Sequence, residues 1–95
     1  MSDTVCIRMS GDCTVRAIRT LHGEIVAGLA SATDLVLDCT DIERADITFV
    51  QLVVSAAGTA ERQAKRLTLV DVPDTVQGAF ARAGLTPQGP FTRAA

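Results

Sequence analysis

Residues 35–69, LVLDCTDIERADITFVQLVVSAAGTAERQAKRLTL, decide the fold of this 95-residue chain. Leu35, Leu37 and Cys39 alternate with Val36 and Asp38, the period of two expected of a strand covered on one face. An acidic loop through Asp41 and Glu43 follows, and Asp46 then stands where a helix should begin. Its carboxylate can accept a backbone N–H two or three residues on, and it suits the positive end of a helix dipole. The helix predicted from Ile47 to about Gln63 is apolar around most of its circumference. Only Thr48, Gln51, Ser55 and Thr59 trace a narrow polar line, so most of its surface should be buried or engaged by a partner. Leu67 and Leu69 around Thr68 repeat the strand pattern. This order puts Asp46 and Thr48 at the C-terminal edge of an α/β sheet, where such folds usually carry their binding sites.

Working outward, Val5, Ile7 and Met9 alternate with Cys6, Arg8 and Ser10 as a first strand that Gly11 and Asp12 should end. From about Thr14 the period changes. Val15, Ile18, Leu21, Ile25, Val26 and Leu29 fall on one side of a helix, with Arg16, Arg19 and Glu24 on the other, and Thr14 or Asp12 as N-cap. Pro73 and Asp74 open a third helix whose apolar stripe is Val76, Ala79, Phe80 and Ala83; Gly84 followed by Leu85 fits a glycine C-cap. The tail, residues 86–95, has turn chemistry without periodicity and reads as loop or disorder. Strands joined by helical crossovers should be parallel, and right-handed crossovers taken in sequential order set every helix on the same face. The expected architecture is a single α/β domain over residues 1–95. It is a small (βα)-superhelix with a mainly parallel sheet in sequential strand order and helices packed on one face. The other sheet face is left to the tail or to another chain, a homodimer included.

Composition narrows the function. A net charge of −2, only three phenylalanines and no tryptophan or tyrosine exclude the basic, base-stacking surface of a nucleic-acid binder. Cys6, Cys13 and Cys39 are odd in number and form no CxxC pair, which speaks against a disulfide framework or a zinc site and for a reducing compartment. The N-terminus lacks a basic segment and an apolar signal core, and no stretch reaches the roughly 18 apolar residues of a membrane span. A cytoplasmic protein without direct membrane insertion is expected.

No catalytic constellation emerges. Asp38, Asp41, Glu43 and Asp46 invite comparison with a magnesium or phosphoryl-transfer site, but that chemistry wants an acidic pair after the first strand and a lysine on a late one. Asp12 alone does not supply it. His22, the only histidine, has no evident Ser or Cys partner. No metal, cofactor or catalytic residue is assigned. Cys13 is expected in an exposed turn beside Arg16, as a surface or capping thiol. Phe49 reads equally as a core residue or as an apolar knob beside Ile47 on a recognition surface.

The βαβαβα order, VCIRMSG at the first strand, LVLDCTDIERADIT at the second strand and loop, and the ending VPDTVQGAFARAGL resemble the STAS family of sulfate-transporter and anti-sigma-antagonist domains. The resemblance spans roughly Val5 to Leu85. It implies a non-enzymatic protein-interaction module of a bacterial partner-switching system that binds an anti-sigma or HPK-type kinase. Its second implication is a cytosolic subunit docked on an ABC phospholipid-transport ATPase; a degenerate phosphotransfer domain is a third reading, from the enzyme class. The partner-binding surface would comprise Asp12, Cys13, Thr14 and Arg16 with Asp46, Ile47, Thr48 and Phe49. Kinase-regulated members place Asp-Ser-Ser-Gly or Asp-Thr-Ala-Gly before the second helix, with the hydroxyl residue after Asp as phosphoacceptor. Here Asp46 matches the Asp, Ile47 holds the acceptor position, and Thr48 becomes the phosphorylation candidate.

Overall fold

The computed structural model describes residues 3–85; the predicted tail, residues 86–95, lies outside them. The elements are β1 (Thr4–Cys13), a single 3₁₀ turn (Val15–Ala17), α1 (Ile18–Ser31), β2 (Asp34–Ala45), α2 (Ile47–Arg62), β3 (Arg66–Val70) and α3 (Asp74–Arg82). The strands form one parallel sheet in the order β1-β2-β3, with the helices on one face, as the alternation requires.

Register makes the covered face continuous. Val5 pairs with Leu35 and Leu35 with Leu67; Ile7 pairs with Leu37 and Leu37 with Leu69. The residues between them, Cys6–Val36–Thr68 and Arg8–Asp38–Val70, make the opposite, uncovered face. Helix α1 lies so close to the covered face that a Cβ on Gly28 would come within 2.8 Å of a Leu35 methyl and 3.2 Å of the Ile7 Cδ1. Glycine is therefore the residue that lets helix and sheet meet there. Phe49 of α2 and Phe80 of α3, both fully buried, meet edge to face with ring centroids 6.4 Å apart and planes at 82°.

Two expected boundaries move. Gly11 and Asp12 do not end β1, and the segment from Thr40 to Ala45 is strand rather than acidic loop. The ladder continues because shifts between Arg8 and Ser10 and between Gly11 and Asp12 absorb residues that would break the alternation. Met9, Cys13, Cys39 and Ile42 all reach the core as a result. The apolar stripe of α1 is also narrower than expected. Leu21, Ile25 and Leu29 are buried, whereas Val15 and Val26 are 62% and 50% exposed. Val15 sits in the 3₁₀ turn, out of phase with the helix that follows, and Val26 lies one residue round from Ile25.

Two helix ends share one geometry. After α3, Gly84 adopts φ +76°; its N–H bonds to the Ala81 carbonyl at 3.0 Å and that of Leu85 to the Phe80 carbonyl at 2.9 Å. After α2, the same bonds run from Ala64 to Glu61 (3.1 Å) and from Lys65 to Ala60 (2.7 Å), but the left-handed position, φ +57°, is held by alanine. The Lys65 ammonium also donates to the Leu29 carbonyl in the last turn of α1, tying the two helix ends together. An L-residue in this conformation costs about 1–2 kcal/mol, part of which glycine returns through its freer unfolded chain. Ala64→Gly should stabilise the protein by ~0.5–1 kcal/mol in denaturant melts. Phe49→Ala should cost about 3–5 kcal/mol in the same assay.

Candidate functional site

The site is built where two chain reversals meet at the C-terminal ends of β1 and β2. Asp46 has extended backbone and leads directly into α2. Its Oδ1 accepts the N–H groups of Thr48 at 3.0 Å and Phe49 at 3.3 Å, so it is the N-cap that the sequence predicts. Its Oδ2 accepts the N–H of Val15 at 3.4 Å, across 31 residues of chain. One carboxylate thus fastens the start of α2 to the β1–α1 turn.

That turn has its own brace. Asp12 Oδ1 accepts the Thr14 N–H at 3.0 Å and the Thr14 hydroxyl. The Thr14 hydroxyl bond is the main cause that holds the Asp12 carboxyl below the usual carboxylate range; desolvation opposes it, and the Thr14 backbone bond and the charges of Arg44 and Arg16 add to the lowering. Asp12 rather than Thr14 supplies the side-chain acceptor here; Thr14 makes no side-chain cap of its own.

The two segments singled out in the sequence, Asp12–Arg16 and Asp46–Phe49, therefore come together, but not all their side chains face outward. Arg16 and Ile47 are exposed, the latter by 51%, while Asp12, Thr14, Asp46 and Thr48 are half-buried. Two expectations need correction. Cys13 is not in an exposed turn: it is the last residue of β1 and fully buried. Burial, with smaller contributions from Asp12 and Glu24, pushes its thiol up to about 11, so Arg16 does not activate it. Phe49 is core and not a surface knob, because the third position of α2 turns inward onto Phe80. Val15, expected in the core, is exposed instead, and its backbone N–H is the one held by Asp46, which is next to Ile47 in sequence. The only signal in the sequence is its position between Thr14 and Arg16, before the helical period is established.

The acidic residues upstream serve a different purpose. Asp38 and Asp41 face Arg8 at 3.8 and 3.6 Å on the uncovered sheet face, and Asp38 also accepts from the Thr40 hydroxyl and N–H. Among the described residues no group of three His, Cys, Asp or Glu side chains converges as metal ligands.

The family model described as "Mlab, STAS domain" matches residues 2–87. The chain belongs to the STAS family. Solved structures agree in fold. This STAS domain superimposes on the anti-sigma factor antagonist SpoIIAA in its unphosphorylated form with a TM-score of 0.77 at 24% identity, covering 93% of this chain and 78% of that one. The phosphorylated form of SpoIIAA, a Bacillus cell fate determinant, gives a TM-score of 0.71 at 24% identity, over 100% and 85% of the two chains. A structure of Mglu matches at a TM-score of 0.66 and 15% identity, over 78% of this STAS domain but 18% of that chain. No curated protein matches the sequence. No helix among the described residues is long and apolar enough to cross a membrane.

The cap and the thiols give two measurements. Asp46→Ala should destabilise by about 0.5–2 kcal/mol, with Asp46→Asn much milder, since the amide oxygen still accepts from α2. Cys39 is buried like Cys13 and its thiol is pushed up to about 12, chiefly by desolvation, whereas Cys6 is exposed. A colorimetric thiol reagent should therefore titrate one cysteine rapidly in the native protein and all three only in denaturant. The sign of the pH dependence follows. Above the ordinary thiol range the unfolded chain releases protons that folded Cys13 and Cys39 retain, so stability should fall as pH rises through that range.

Proposed function

We propose that this STAS domain is a non-enzymatic binding module that docks on an ATPase-type protein through the surface carrying Val15, Arg16, Ile47 and Thr48. The observation that supports this reading is that two large exposed apolar side chains, Val15 and Ile47, belong to the two segments that one carboxylate ties together. Single exposed aliphatic residues are ordinary, but two at a braced chain reversal make the nucleus of a contact. SpoIIAA, which shares the fold, is an anti-sigma factor antagonist found in phosphorylated and unphosphorylated forms. By that analogy the partner is an anti-sigma or HPK-type kinase, and the setting is bacterial partner switching in the cytoplasm.

A second reading has its own support. Ile47 stands where kinase-regulated relatives place the phosphoacceptor, and the matching family model is described by the name Mlab. An apolar residue at that position suits a standing complex, such as a subunit docked on an ABC-transporter ATPase, better than a phosphate-gated one. Thr48 is the remaining hydroxyl at the start of α2. A phosphate there would gain from the helix N-terminus but would lie beside the Asp46 carboxylate, which already accepts the Thr48 N–H.

Affinity capture with the wild-type domain and with the double variant Val15→Asp/Ile47→Asp, followed by mass spectrometry, tests the surface. Recovery of an HPK-type kinase supports the first partner and recovery of an ABC ATPase the second. In either case the double variant should weaken binding by roughly 2 kcal/mol or more while melting like wild type. Retention of full affinity would remove this surface from the contact. Intact-mass analysis after incubation with a captured kinase should show either no phosphate or one that maps to Thr48; stoichiometric phosphate elsewhere would refute the assignment.

A further inference from the structure

The sheet has two edges, and they are not equally protected. β3 is only five residues long, starts at the charged Arg66 and is followed by Asp71 at φ +51°, which turns the chain away. β1 is ten residues long, and no strand among the described residues pairs with its outer side. From Thr4 to Arg8 it pairs with β2 in unbroken register, the first shift coming only after Arg8. Those five residues contain no proline, no bulge and no inward-pointing charge, the usual devices that block edge pairing. Their single charge, Arg8, is already matched by Asp38 and Asp41 of its own chain.

Cover is also incomplete along this edge. Val5 and Ile7 are only half-buried, although Leu35, Leu37, Leu67 and Leu69 in the same cross-sheet rows are buried. A shallow open groove of about 450 Å³ runs beside them, between Val5–Ile7 and the small residues Ala27, Gly28 and Ser31 of α1, with Glu24 its only charged lining residue. A row of unpaired backbone N–H and C=O groups is satisfied by another extended backbone.

We propose that this edge is a self-association surface on which β1 pairs antiparallel with β1 of a second copy, about a two-fold axis at Cys6. The regular stretch Thr4–Arg8 is centred on Cys6 and is self-complementary about it. Val5 then lies opposite Ile7 of the second copy and Thr4 opposite Arg8. Every apolar residue stays on the helix-covered face of the joined sheet and every polar one on the open face. A one-residue slip would mix the two faces, and an axis moved to Arg8 would set like charges opposite one another. The small flank of α1 leaves room for the second copy's aliphatic side chains where Val5 and Ile7 lack cover.

Light scattering on the purified chain should show a concentration-dependent species of twice the 10.0 kDa chain mass. Cys6 is exposed, so substitution there leaves the core untouched. Cys6→Ser should retain the dimer. Cys6→Lys, which places two ammonium groups together on the axis, should raise the dimer dissociation constant by about fivefold or more with unchanged circular dichroism and melting. A short bis-maleimide should join two wild-type chains through Cys6 with a yield that does not fall on dilution while the dimer persists. A chain that stays monomeric at high concentration, or a dimer that Cys6→Lys leaves unaffected, overturns the proposal. So does a monomer in which Cys6→Lys weakens only the binding of the captured ATPase, since that result gives the edge to the partner.

Discussion

One-sided cover of a parallel sheet is the constraint on which the rest of this molecule depends. Sequential parallel strands joined by right-handed crossovers leave their helices on one face, so each strand spends alternate residues on the core and the rest on an open surface. Leu35, Leu37 and Cys39 are buried while Asp38 and Thr40 between and beside them hydrogen-bond to each other in view of solvent. The covered face must be packed tightly because a domain of this size has little apolar area to spare. This is why Gly28 allows α1 onto Leu35 and Ile7, and why two of the three phenylalanines meet between α2 and α3. The same constraint leaves the open sheet face, the sheet edges and the strand C-termini as parts that other molecules can reach.

At those C-termini Asp46 converts local chemistry into tertiary geometry. A capping carboxylate has two oxygens, and a helix start consumes only one of them. Oδ1 serves Thr48 and Phe49, and the remaining Oδ2 takes the Val15 N–H from the other chain reversal. Fixing Phe49 at the third position of α2 sends its ring into the core against Phe80 and leaves Ile47, two residues earlier, facing out. Burial of one aromatic side chain and exposure of its aliphatic neighbour are therefore two consequences of a single cap.

Most of this could be read from residue patterns because the dominant signals were local. The alternations in Val5–Met9, Leu35–Cys39 and Leu67–Leu69, the Asp46 cap and the Gly84 ending each declare themselves within a few residues, and connection rules then leave little choice of topology. What escaped depended on partners distant in sequence. The extension of β2 to Arg44 and Ala45 is held by pairing with Asp12 and Cys13 of β1, across shifts that hide the period of two. The burial of Cys13 follows from the same pairing. Val15 was misplaced because a 3₁₀ turn broke the phase of the helical stripe, and Ala64, at a position where glycine is usual, gives no hint of its left-handed backbone. For Phe49 the sequence offered two equal readings, and only the approach of Phe80 from α3 decides between them.

The character of the proposed contact follows from what the α2 N-terminus has already committed. A helix start attracts anions through its free N–H groups, but here the Thr48 and Phe49 donors are held by Asp46, whose charge also repels a second anion. On the proposed contact surface the exposed side chains are the aliphatic Val15 and Ile47, together with Arg16. Burial of apolar surface does not weaken with salt, whereas attraction between exposed charges is screened within about 10 Å at 0.1 M salt. A surface of this composition favours a complex whose lifetime is set by side-chain fit, and it offers a negative charge at Thr48 little new to bind. In related domains with a hydroxyl residue directly after the capping Asp and a glycine two positions later, the same helix start would be both smaller and more accessible. Regulation by phosphate and permanent apolar docking would in this sense be alternative uses of one helix terminus, and Ile47 is the residue on which the second of the two proposed readings rests.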